Sequence, residues 1–171
     1  MLSLNANPLD SMNIHPGINP IDLAGQANNG NWVSLKGYEG CLVVLIKRAG
    51  TAGQDPIVLL EQSTDVGGGN PKALNYDKVR SKLHATAVPG LFTETDNPGG
   101  DNTYVDDTSA EKSGIIAVDI KAEDLDVDNK YDCMRCNIAK TGATAGDTGA
   151  VLYILYGAKY GAGGMISPIA N

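Results

Sequence analysis

The sequence predicts an all-β protein: a single β-sandwich, jelly-roll-like domain over residues 31–160, with an extended N-terminal arm (1–30) and a flexible C-terminal tail (161–171). Three observations lead there. Apolar residues recur with a period of two in several short runs, the spacing of half-buried strands. The runs are separated by clusters of Gly, Pro, Asn and Asp, with 21 Gly and 8 Pro in 171 residues, which punctuate strands rather than helices. No stretch keeps a helical period beyond two turns. About seven or eight strands then make a two-layered domain, and the length suffices for one such core but not comfortably for two.

The arm comes first. Residues 1–30 carry Pro8, Pro16 and Pro20 and several Asn and Gly, with apolar residues in no regular period. Leu9, Met12, Ile14, Ile18, Ile21 and Leu23 make the segment more apolar than a linker and are the candidate partner-contacting residues. Ordering about twenty such residues costs on the order of 20–40 kcal/mol. Matching that needs roughly 800–1,600 Å² of buried apolar surface at about 25 cal/mol per Å². A neighbouring subunit is the expected source, and truncation before Trp32 is expected to leave a folded body.

The body follows. Trp32, Ser34 and Lys36 alternate with Val33 and Leu35 as in a half-buried strand, and "CLVVLI" (Cys41–Ile46) is continuous enough for a central strand. "PIVLLEQS" is the next strand, with Pro56 tolerated at its start. Val79, Ser81 and Leu83 alternate with Lys78, Arg80, Lys82 and His84. "TETDNPGGDNTYVDDTSAEKSG" is a polar loop with a short strand at Thr103–Val105. Ile116, Val118 and Ile120 share one strand face; Met134, Cys136 and Ile138 share another, with Cys133 and Arg135 opposite. "GAVLYILYGAKY" is a buried final strand, and "AEDL" is expected to be at most a helical turn.

Composition excludes some functions. A net charge of −7 argues against a generic phosphate-backbone binder, so no direct nucleic-acid contact is expected. Three cysteines and no secretory leader point to a reducing compartment and free thiols. The longest apolar run, Cys41–Ile46, falls far short of the roughly 20 residues of a membrane helix, so a soluble protein with no membrane contact is expected.

The stretch "EDLDVDNKYDCMRC" holds the strongest hints of chemistry. Asp124, Asp126 and Asp128 have the one-three-five spacing of a calcium loop, but Asn129 and Arg135 stand where Gly and a bidentate Glu are required. The Cys133-x-x-Cys136 pair supplies two ligands where structural zinc takes four. On a strand, residues three apart face opposite sides, so the sulfurs diverge and cannot bridge. Arg135 is expected to pair with Asp119 or Glu61 across the sheet. "DVGGGNPKAL" lacks the spacing of a phosphate-binding loop. His15 lies in the arm and His84 on a polar strand face. The residues therefore nominate no catalytic, metal or cofactor site.

The chain resembles a group of tailed-bacteriophage virion proteins of the head-gene region. The resemblance lies in "WVSLKGYEGCLVVLIKRAGTAGQDPIVLLEQSTDVGGGNPKALN", "NTYVDDTSAE", "IKAEDLDVDNKYDCMRCNIA" and "GAVLYILYGAKY", in order from Trp32 to Tyr160. Cys136 stands where those relatives carry a small residue. The resemblance implies a non-enzymatic structural protein. A capsid decoration, or cement, protein fits best: it sits on the outer capsid surface, binds the major capsid protein and itself as a dimer or trimer, and needs no cofactor. A head–tail connector, tail or fibre-base component is the alternative. A small carbohydrate-binding sandwich is another, resting on Tyr38, Tyr104 and Tyr160 for sugar stacking.

Overall fold

The computed structural model describes residues 8–84, 91–97, 100–105, 112–159 and 168–169. Among them are eleven strands: β1 (Asn13–Asp22), β2 (Val33–Ser34), β3 (Gly40–Lys47), β4 (Ile57–Ser63), β5 (Lys72–Ala73), β6 (Lys78–His84), β7 (Thr93–Asp96), β8 (Thr103–Val105), β9 (Ser113–Lys121), β10 (Cys133–Ala139) and β11 (Thr148–Tyr156). The helical content is three 3₁₀ turns, one of them Ala122–Asp124 in the "AEDL" stretch.

The strands form two antiparallel sheets that pack as a sandwich. The larger runs β1-β11-β3-β9-β6-β7; the smaller runs β2-β10-β4-β5, with β8 also on β4. Between them lies one core. The larger sheet contributes Cys41, Val43, Leu45, Val79, Ile116, Val118, Ile120, Val151, Tyr153 and Leu155. Val58, Leu60, Met134, Cys136 and Ile138 close it from the smaller sheet. Alternation reads out directly along β10, where Met134, Cys136 and Ile138 are buried between partly exposed Arg135, Asn137 and Ala139.

The N-terminal segment is extended, as expected, but it lies within the sandwich. β1 pairs with β11 from Asn13↔Leu155 to Asp22↔Thr148. Ile18 and Leu23 are buried in the core, and the Asn28 amide and carbonyl each bond Ile138 at 2.9 Å. The chain itself therefore supplies part of the burial that the entropy argument assigned to a neighbour. Two register shifts, between Pro16 and Ile18 and between Ile18 and Ile21, break the alternation, which is why no period shows in the sequence. Pro16 and Pro20 are tolerated because β1 is an edge strand.

Two further strands lie outside the sequence reading: the two-residue β5, within the Gly-rich loop stretch, and β7. The Thr-Glu-Thr-Asp of β7 is polar because all four side chains are exposed at the opposite edge of the larger sheet. Most of the expected C-terminal tail lies outside the described residues; Pro168 is buried, and its carbonyl accepts the Ser34 amide at 2.7 Å.

Candidate functional site

The acidic turn before β10 is taken up by internal bonds. Asp124 Oδ2 accepts the Lys121 amide at 2.7 Å. Asp126 pairs with Lys72 and accepts from Asn129 Nδ2 at 2.9 Å, and the Lys72 ammonium, then Asn129, hold its carboxyl below the usual range. Lys130 closes the turn in a left-handed conformation at φ 66°. Among the described residues, no three His, Cys, Asp or Glu side chains group as a metal site would need.

Cys133 and Cys136 are both buried and unbridged, and Cys133 Sγ donates to Asp132 Oδ1 at 3.1 Å. Burial pushes the Cys136 thiol up to about 12 and raises Cys41 further; such thiols are poor nucleophiles. Arg135 takes Glu61, its register partner: Nε and Nη2 both donate to Glu61 Oε2 at 2.7 Å. Asn137 Nδ2 reaches the same oxygen at 2.7 Å, and the guanidinium sits 4.5 Å from the Trp32 ring centroid. The outer face of the smaller sheet thus carries a polar network.

In the Gly-rich loop after β4, Asp65 Oδ1 accepts the amides of Gly67 and Gly69 at 2.7 and 3.2 Å. The loop's own carboxylate occupies donors that a phosphate-binding loop offers to its ligand. Gln54, in "GTAGQD", is buried and bonds the Thr144 amide and carbonyl at 3.0 and 3.1 Å. His15 Nδ1 lies 3.0 Å from the Pro16 carbonyl, and His84 ends β6 opposite Ser113. Of the candidate stacking aromatics, Tyr38 is buried, Tyr104 packs against the core, and Tyr160 lies outside the described residues.

The six nominated N-terminal residues divide. Ile18 and Leu23 are core, Met12 is half-buried, and Leu9, Ile14 and Ile21 are exposed. Ile14 belongs to a larger feature that the sequence reading missed. Antiparallel register sets outward side chains in rows across the larger sheet: Ile14–Ile154–Leu42, a row that ends on β9 at the carboxylate of Asp119, then Pro16–Leu152–Val44–Ala117, then Ala150–Ile46–Ile115. Apart from Asp119, every member is apolar, and Ile14 and Ile46 are 51% and 44% exposed. Among the described residues every strand belongs to one of the two sheets, and none of them forms a third layer over this face.

Charge appears only at the margin. Arg80 and Lys82 of β6 flank Ala117 and Ile115. At one end Tyr156 Oη donates to Asp119 Oδ1 at 2.6 Å and accepts from Lys121 Nζ at 2.6 Å. Tyr156 reaches them across Gly40, where a Cβ would lie 2.5 Å from its hydroxyl. Desolvation and the Asp119 carboxylate raise the Tyr156 pKa, and bonds to Tyr156 and Asp119 raise that of Lys121. A depression of about 390 Å³ beside Leu42 and Ala117 is walled by Asn75, Asp77, Arg80 and Asp124.

An apolar sheet face with a charged rim is chemically suited to contact: it removes water from itself when another surface lands on it. A signal was present in "CLVVLI", since a strand apolar on both faces is one expected to be covered on both. Comparison with models of protein families, with curated proteins and with solved structures returned no match for this chain.

Proposed function

We propose that this protein is a structural component of a tailed-bacteriophage particle, a capsid decoration (cement) protein. It bridges and stabilises neighbouring major capsid protein subunits from the outer surface of the shell. The resemblance from Trp32 to Tyr160 supports the particle. The observation that carries a contact role is the apolar outer face of the larger sheet, continued at the β1 edge by exposed Ile14. The working principle is mechanical. Apolar surface buried across subunit boundaries contributes about 25 cal/mol per Å², and that free energy opposes the outward pressure of packaged DNA. The acidic surface suits a position on the DNA-free side of the shell.

Quantitative mass spectrometry of purified virions tests the reading. Decoration requires hundreds of copies per particle, released together from the capsid surface. A count of about six or twelve, the cyclic symmetries of portals and tails, would transfer the protein to the connector or tail. Absence from the particle would end the proposal.

A further inference from the structure

We infer that the outer face of the six-stranded sheet is a homodimer interface: two copies pack these faces together about a twofold axis running along the strands. The inference rests on the reading that the chain works by contact and gives this face to a second copy, so that in a particle the shell would meet other surfaces of the dimer.

Area is the first argument. With strands about 4.8 Å apart and alternate residues about 6.8 Å apart, the ten apolar positions cover about 330 Å². A border of one residue at each strand end and of β6 on the inner side, β1 being the sheet edge, brings the footprint to about 650 Å² per copy, or about 1,300 Å² in total, at the lower end of the range for stable interfaces. The distribution also fits: an apolar centre around Val44 and Leu152 with charges confined to the rim is the anatomy of such contacts. Face-to-face sheets pack at about 10 Å with strands within about 30° of alignment, and the exposed Ile14 and Ile46 stand proud enough to meet a facing sheet.

Symmetry is the second argument. A twofold along the strands lays the β6 margin of one copy, with Arg80 and Lys82, over the β1 margin of the other. A twofold across the strands would set each of those residues against its own copy, Lys82 and the Arg80–Glu94 pair alike. The first closes the assembly without like-charge contact, as an isologous interface requires.

Charge sets the salt response. Each copy carries −7, so the copies repel at long range while the contact itself is apolar. Salt therefore tightens the dimer, whereas an ion-paired interface weakens as screening rises.

Sedimentation equilibrium of the full chain is the experiment, with Ile46→Lys and Ile154→Lys on the face and Val105→Lys on the exposed outer side of the smaller sheet. Circular dichroism and thermal melting establish that each variant is folded. The wild type and Val105→Lys are expected to be dimers. Ile46→Lys and Ile154→Lys, each next to the Val44–Leu152 centre, are expected to be folded monomers, weakened at least about a hundredfold, as befits charge placed within a desolvated contact. Dissociation is expected to fall several-fold between about 20 and 500 mM salt, as the Debye length shortens from about 20 to 4 Å. A wild type that stays monomeric at about 0.1 mM overturns the inference, as does a dimer indifferent to both face variants or a species other than a dimer. Should monomeric wild type still bind capsids, and lose that binding in both face variants, the face belongs to the shell: the dimer falls while the decoration reading stands.

Discussion

The hydroxyl of Tyr153, on the inner face of one sheet, accepts the backbone amide of Cys136 in the other sheet at 2.8 Å. The reason lies in the edge of β10. Ile138, Cys136 and Met134 turn their backbone groups to the same side. Asn28 bonds Ile138, and Val33 pairs with Met134, but between them Gly30 offers no ladder partner. A Cβ on Gly30 would lie 2.1 Å from the Cys136 carbonyl and 2.7 Å from the Tyr153 hydroxyl. Glycine thus opens the gap in the ladder, and Tyr153 fills it from across the core.

Tyr153→Phe keeps the ring and leaves a buried amide without a partner. The expected loss is about 1–3 kcal/mol, read as a lower urea midpoint at unchanged slope. An unchanged midpoint would mean that the bond contributes nothing to stability.

Truncation before Trp32 removes β1 from β11 and takes Ile18 and Leu23 out of the core. Core losses of this kind cost about 2–5 kcal/mol per large side chain, against a total stability of about 5–15 kcal/mol. The truncated chain is expected to lose cooperative unfolding and its near-ultraviolet circular dichroism. A truncated chain that melts like the full one would show β1 to be dispensable.

Burial holds the Cys136 thiol at about 12 and lifts Cys41 beyond it. At pH 8 the thiolate fraction of Cys136 falls about a thousandfold below that of a free cysteine. Both are expected to resist a thiol reagent in the folded protein and to react fully in denaturant. Mass spectrometry of alkylated peptides locates the label; rapid native labelling at either position would contradict the packing.

Three carboxyls are held below their ordinary range. Gly146 and Ala24 amides lower Asp22, Lys78 and then Arg80 lower Glu94, and Lys72 and then Asn129 lower Asp126. A lowered folded value favours the ionised form. Their contribution is therefore complete above the ordinary range of about 3.9–4.3 and is lost as pH falls through the folded values. All three are solvent-accessible, so the effect is modest and screened by salt. The urea midpoint is expected to start falling near pH 4, with a smaller acid-induced drop at high salt. A midpoint flat to about pH 2 would remove these carboxyls from the account of stability.

Local pattern was enough to identify the strands whose alternation is unbroken. β4, β9, β10 and β11 follow from their apolar periods, and so does the divergence of Cys133 and Cys136, because side-chain direction on a strand depends only on parity. The two edges were not legible for opposite reasons. β1 alternates irregularly because its register shifts twice, and β7 is polar because its four side chains are exposed at the sheet edge. Arg135 had two candidate partners. Glu61 takes it on the smaller sheet, while Asp119 bonds Tyr156 and Lys121 on the larger.

By itself, then, the sequence determined the fold class, most of the strands and which residues of each strand share a face. Tertiary structure alone decided that the N-terminal segment completes a sheet and that Tyr153 satisfies Cys136. It alone aligned Ile14, Ile154 and Leu42 into one apolar surface. The difference is physical: facing is a property of neighbours along the chain, whereas register between strands more than a hundred residues apart is fixed only when bulges, glycines and the packed core select one pairing.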